Sequence, residues 1–259
     1  MPSVEEGTRW YRNDYWRQYR EEQVGAARGN VYEHAVAWLE RLVPVPGVLV
    51  DVGCGAGAFL ALCQARGWKG IGFDPSVQAA AYAQARGLEV YAGTFPPCPL
   101  ADGTADALTF INVLDHLQDP FAALREARRV LRVGGVLYIR VPNGPFHVSL
   151  LPLLSAIGLD HLTVFHLYGF GRSTFRHHLP ELGFEIIAVQ TAPPSQHDPY
   201  TGSGGGGAGV RAVLKWIDRA GFRLLQSLAL TGKAWGPSIE VVARKCSADT
   251  QNLEGKGRG

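Results

Sequence analysis

Two aspartates and a run of glycines bracket one turn of the chain. The run reads Asp51-Val-Gly53-Cys54-Gly55-Ala-Gly57, and Asp74 ends the next apolar stretch, GIGFDPS. Glycines so placed between a strand and a helix allow backbone angles closed to other residues, and let a ligand reach the main chain. The helix that follows points its amides into the same space. Gly53-x-Gly55-x-x-Ala58 also fits a loose dinucleotide fingerprint, so the loop alone leaves a pyrophosphate, another ligand and a structural turn open. Asp51 narrows the choice. A carboxylate two residues before the first glycine repels a pyrophosphate and suits a cationic amine. Asp74 can accept hydrogen bonds from both hydroxyls of a ribose. As Asp74-Pro75-Ser76 it could equally cap a helix.

A second set of reactive side chains lies downstream. Asp115-His116 follows the apolar run ALTFIN, and His147 follows VPNGPF. His161, His166 and Tyr168 come a little later. A histidine titrates near neutrality and can serve as a base or orient a substrate, but it also caps and braces loops. His177 and His178 fall inside a helical pattern and read as surface or structural residues.

Strands and helices alternate around these residues. VLVDVG, KGIGFD, LEVYAG, ADALTFIN and GGVLYIRVPN read as strands. AFLALCQARG, VQAAAYAQARG and PFAALREARRVLR read as helices, with Gly67 and Gly87 as terminators. This alternation predicts an α/β fold, a doubly wound and mostly parallel sheet with helices on both faces. Residues 8–42 read as helical, a cap over residues 43–245. Residues 144–171 read as a partly helical excursion, RSTFRHHLPELG as a helix and FEIIAVQT as a strand. Residues 201–209, TGSGGGGAG, read as a flexible linker, and 210–230 as an inserted amphipathic helix. SIEVVARK reads as a closing strand and 246–259 as a disordered tail.

Composition sets limits. The 259 residues carry a net charge of only +2 and 46% hydrophobic residues, against the strong basic bias of nucleic-acid binders. The longest apolar run, Val148 to Leu159, contains Pro152 and is too short to span a membrane. The N-terminus shows no apolar signal-peptide core. The four cysteines lack metal-like spacing, so no metal is expected, and a reduced, cytoplasmic protein is the simplest reading.

DVGCGAG and GFDPS, followed in order by PLADGTADALTFINVLDHLQDPFAALREARRVLRVGGVLYIRVPN and HLYGFGRSTFRHHLPELGFEI, resemble class I S-adenosylmethionine-dependent methyltransferases. The last segment is similar to the small-molecule branch related to ubiquinone-biosynthesis O-methyltransferases. The resemblance covers roughly residues 30–190. It implies a Rossmann-like seven-stranded sheet whose last strand, SIEVVARK, is antiparallel. It implies S-adenosylmethionine as cofactor and S-adenosylhomocysteine as product. By the same resemblance Gly53, Cys54, Gly55 and Gly57 pass the methionine part and Asp51 helps hold its amino group, directly or through water. Asp74 binds the ribose, Phe73 and Pro75 flank it, and Asn112 lies near the methionine end. Thr94 stands where relatives often carry an acid for adenine, leaving Thr94, Phe95 or backbone groups for that task. Gly169 and Gly171 replace a His and a Ser of the branch.

Methyl transfer from a sulfonium is an in-line displacement, so the protein chiefly aligns the acceptor and excludes water. An oxygen acceptor also needs a base. Asp115, His116, His147 and His166 are the candidates. Tyr11 and Tyr15 in the N-terminal aromatic stripe, with His161 and Tyr168, are candidate acceptor contacts. The expected function is methylation of a small molecule, through oxygen first. N- or C-methylation, a non-catalytic cofactor-binding protein and an NAD-dependent oxidoreductase are the alternatives. The basic side of the inserted helix leaves peripheral membrane contact open. Monomer and homodimer both remain open.

Overall fold

The computed structural model describes residues 16, 20, 28–156, 167–195, 220 and 236–247. The expected glycine-rich linker, the tail beyond residue 247 and, apart from single positions, the N-terminal cap before residue 28 and the inserted helix lie outside them.

The described chain runs α1 (Gly29–Leu42), β1 (Val48–Val52), α2 (Ala58–Ala65), β2 (Lys69–Asp74), α3 (Val77–Gln84), β3 (Glu89–Ala92) and β4 (Ala105–Ile111). A 3₁₀ turn (Leu114–His116) follows, then α4 (Pro120–Val130), β5 (Leu131–Pro142), α5 (Gly144–Ala156), α6 (Arg172–Glu181), β6 (Phe184–Thr191) and β7 (Ser238–Lys245). The seven strands form one sheet in the order β3-β2-β1-β4-β5-β7-β6. β1 to β5 pair in parallel, and β7 runs antiparallel between β5 and β6. The expected antiparallel closing strand is thus SIEVVARK, although it lies inside the sheet rather than at its edge.

Because side chains alternate across a strand, each central strand feeds two cores. Val50, Val52, Leu108, Phe110 and Ile139 join Leu124, Ala127, Phe175 and Leu179 under α4 and α6. Leu49, Ala107 and Tyr138 join Val36, Leu39, Phe59, Leu60 and Ala83 under α1, α2 and α3. One boundary differs from expectation. The helical pattern PFAALREARRVLR stops at Val130, and Leu131 already pairs with Ala105 as the start of β5. An irregularity in β4 between Ala105 and Ala107, with Gly134 at φ 77°, lets the strand begin this early.

Among the described residues no helix is long and apolar enough to cross a membrane.

Candidate functional site

β2 and β3 lie on one side of β1, and β4 and β5 on the other. The carboxyl ends of β1 and β4 therefore part at the place where such sheets bind ligands. A cleft opens there. Its walls are Val52 to Ala56 and Ala58 from the first turn, Phe73 to Pro75 after β2, and Gly93 to Phe95 after β3. Ile111 to Val113, His116 and Leu117 close it beyond β4, and Tyr32 of α1 and Arg28 just before that helix complete it.

The first turn is wrapped around the end of β2. The amides of Gly53 and Cys54 both donate to the Phe73 carbonyl, at 2.7 and 3.1 Å. The Gly55 amide donates to Asp74 Oδ2 at 2.8 Å. Gly53 has φ 73°, and a Cβ there would lie 2.2 Å from Val113 Cγ2, so only glycine fits between the turn and the β4 loop.

Asp74 does not cap α3. Ser76 takes that place, its hydroxyl accepting from the Ala79 amide, while Asp74 Oδ1 accepts from the Ser76 amide at 2.9 Å. Asp74 is left at the cleft wall with its carboxyl tied to two amides. Burial raises its pKa, and those amides oppose the rise. Asp51 is buried and lies outside the wall, as does Gly57. Its Oδ1 accepts from the Thr109 hydroxyl at 2.6 Å. Burial pushes its pKa up to about 7, the Thr109 bond lowers it and the Asp74 charge adds to the rise. Two buried acids beside one cleft make it a place for a cation.

On the far side, Phe73 stacks on Tyr91 with centroids 5.2 Å apart and meets Phe95 edge-on at 5.5 Å. Thr94 lies between them in the chain, its hydroxyl 3.4 Å from the Pro96 carbonyl it donates to. Asn112 has φ 56°, and its side-chain oxygen accepts from Arg140 Nη1. Its amide donates to the Arg140 carbonyl at 2.8 Å, which fixes the bend out of β4.

Among the described residues, His116 is the one expected base that reaches the wall. Its Nε2 lies 3.3 Å from Asp115 Oδ2, and Asp115 is fully buried behind it. His147 is on α5, where its Nε2–H donates to the Pro237 carbonyl at 2.9 Å, so the structure places it against the lead-in to β7 rather than on the cleft. Tyr168 is not on the wall either. Its hydroxyl donates to the Gln118 carbonyl at 2.7 Å and its amide to the Asp115 carbonyl at 3.3 Å. It braces the loop that carries His116. Tyr11, Tyr15, His161 and His166 lie outside the described residues.

Two wall residues escaped the sequence reading. Arg28 and Tyr32 are one helical turn apart at the start of α1, and Tyr32 packs on Phe59 at 5.5 Å. Burial raises the Tyr32 pKa, opposed by the charge and hydrogen bond of Arg28. The i, i+4 spacing of a cation and a phenol ahead of the first strand was the available signal.

A seven-stranded sheet with one antiparallel strand and a cleft of this make define a class I S-adenosylmethionine-dependent methyltransferase. The methyltransferase-domain family model matches residues 19–189, and the chain belongs to that family. It is 32% identical over 197 residues to an uncharacterized methyltransferase of Mycobacterium sp. (strain JLS), covering 70% of this chain and 71% of the relative. It is 30% identical over 165 residues to a probable S-adenosylmethionine-dependent methyltransferase of Mycolicibacterium smegmatis, covering 55% and 62%. Across the leading curated relatives the match spans from 30% to 71% of the relative's own length. The fold is similar to that of a geranyl diphosphate methyltransferase in complex with S-adenosylmethionine, with a TM-score of 0.58, 19% identity and coverage of 83% and 85%.

The cleft residues fit that cofactor. Asp74 keeps acceptor sites beyond those its two amides take, as a ribose would need, and two buried acids beside the cleft suit a positively charged ligand.

Proposed function

We propose that this chain transfers the methyl group of S-adenosylmethionine to a hydroxyl of a small molecule. Asp74 takes the ribose hydroxyls, and Phe73, Pro75, Thr94 and Phe95 form the adenine side. The glycine turn and Asn112 lie along the methionine part. Asp51 favours its ammonium through the buried field and any water between them, and Arg28, the one arginine or lysine on the wall among the described residues, is suited to its carboxylate. The sulfonium supplies an already activated methyl group. The chain's residues hold it, shut water out and take the proton from the acceptor.

The observation that carries the oxygen acceptor is the place of His116. Among the described residues it is the one histidine on the wall of the cleft, and a buried carboxylate stands 3.3 Å behind it. A carboxylate at one edge of an imidazole favours the protonated ring that results when the other edge takes a proton. The test is a panel of phenols, hydroxy-quinones, amines and thiols incubated with isotopically labelled S-adenosylmethionine. Label should pass to an oxygen acceptor, and His116→Ala should cut turnover by about 10²-fold or more while cofactor affinity holds. Undiminished turnover in that variant would remove His116 from this role, and label found only on nitrogen or carbon would refute the oxygen assignment.

A further inference from the structure

A fully buried glutamate sits in the middle of β7, outside the chemistry described above. Glu240 has no exposed surface, and it faces α1 on the side of the sheet that carries Tyr138 and Val242. Four donors converge on its carboxylate. Oε1 accepts from Trp38 Nε1 at 3.1 Å and from Gln190 Nε2 at 2.6 Å. Oε2 accepts from the Tyr138 hydroxyl at 2.9 Å. His34 Nε2 lies 3.0 Å from Oε1 and 2.9 Å from Oε2. Tyr138 and Gln190 belong to β5 and β6, the neighbours of β7. His34 and Trp38 belong to α1, one turn apart.

Burying a carboxylate is costly, and a well-packed apolar residue often serves stability as well or better. What an apolar contact lacks is direction. The other α1 residues that face the sheet are Val31, Ala35, Val36 and Leu39, and such a surface tolerates sliding and rotation. Two donors a turn apart on one carboxylate do not, because a shift of the helix along its axis breaks both bonds. Tyr32 lies on the same helix ahead of His34 and Arg28 is the residue that leads into it, and they form the α1 side of the cleft.

We propose that Glu240 is a positioning residue for the cofactor. By holding His34 and Trp38 it fixes the seat of α1, and so places Arg28 and Tyr32 against the methionine end. This rests on the cofactor reading given above. It predicts that loosening the anchor harms only the amino-acid end of the ligand, since the adenosine end is held by β2 and β3.

Two ligands separate those ends. S-adenosylhomocysteine carries the amino acid, and 5′-methylthioadenosine lacks it. Calorimetry on the full chain, with melting temperature recorded beside it, compares wild type with His34→Ala/Trp38→Phe and with His34→Gln, whose amide can still donate to Glu240. The double variant should bind S-adenosylhomocysteine about tenfold more weakly and keep its affinity for 5′-methylthioadenosine within about twofold. His34→Gln should bind both nearly as wild type does. His34 is half-exposed, so His34→Ala alone carries the comparison if the double variant does not fold. Equal weakening of both ligands, or a lower melting temperature with neither affinity changed, overturns the positioning role. Wild type that binds neither ligand instead overturns the cofactor reading on which it stands.

Discussion

The Thr109 hydroxyl donates to Asp51 Oδ1 from the residue directly opposite it in the β1–β4 pair. It is the main influence that keeps the Asp51 pKa from rising further, against burial and the Asp74 charge, and the balance falls at about 7. An unfolded aspartate titrates at about 3.9. Below that value both states are protonated. As pH rises from there to about 7, the unfolded chain ionises first, so the empty protein should lose stability across this window and level off above it. A bound ammonium favours the carboxylate, so cofactor binding should release a proton and tighten from pH 6 to 7.5. Thr109→Val should move that rise to higher pH. Calorimetry in two buffers of different ionisation enthalpy checks this. An affinity flat across the range in both proteins would remove Asp51 from cofactor binding.

Asp74 accepts one amide on each oxygen, and a carboxylate has about four lone-pair sites, so two remain for ribose hydroxyls. Asp74→Ala removes both and also releases the Gly55 amide that shapes the glycine turn. The loss should be about 10²-fold in affinity for S-adenosylhomocysteine, from roughly 3 kcal/mol in bonds to a charged group. NAD should give no heat with either protein. Retention of affinity within threefold would place the ribose elsewhere.

Gly53 and Gly87 both have positive φ, but only Gly53 is crowded. A Cβ at Gly87 meets nothing within 4 Å, whereas at Gly53 it strikes Val113. Gly87→Ala should therefore cost only the backbone term of about 1 kcal/mol. Gly53→Ala should cost more, and its melting temperature should fall by several degrees further, at about 2–4 °C per kcal/mol. Adding Val113→Ala should restore part of that difference and leave the Gly87→Ala protein unaided. Equal melting temperatures for the two glycine variants would mean that the turn has room to relax.

Much of this arrangement can be read from spacing alone. Strand-helix alternation and the glycine turn are local patterns, and each central strand is apolar on both faces because helices cover both. Asp74 could be placed because it ends an apolar strand, whereas Asn112 came from the family resemblance rather than from spacing. Contacts made between distant segments leave no such trace. Nothing in SIEVVARK tells that Glu240 gathers donors from β5, β6 and α1. The histidine of VPNGPFH looks as suited to catalysis as that of LDH. Only the packing of α5 against the residues before β7 sends His147 to a carbonyl and leaves His116 at the cleft. Arg28 and Tyr32 left a local trace in their i, i+4 spacing, but nothing local tells that Tyr32 packs on Phe59 of α2 and that both reach the cleft.

The N-terminal segment touches the domain at a place that can be tested. The Trp16 ring packs on Tyr82 of α3 with centroids 5.4 Å apart, and the Arg20 guanidinium lies 6.0 Å from both rings. Tyr82 lies on the partly exposed side of α3, while the residues that hold α3 to the sheet are Ala79, Ala80 and Ala83. Losing the ring contact should therefore cost the core little. The same stretch of chain leads to Arg28 at the cleft wall, so its attachment bears on how that side chain is presented. Trp16→Ala should weaken S-adenosylhomocysteine binding about threefold, roughly the 0.5–1 kcal/mol of an aromatic contact, and removal of residues 1–20 should weaken it more. The melting temperature should fall by only about 2–3 °C in the point variant. Calorimetry and a thermal melt on the same samples decide it. An unchanged dissociation constant in the truncated protein would show that the segment serves packing alone, since a part in closing the cleft must appear in the affinity.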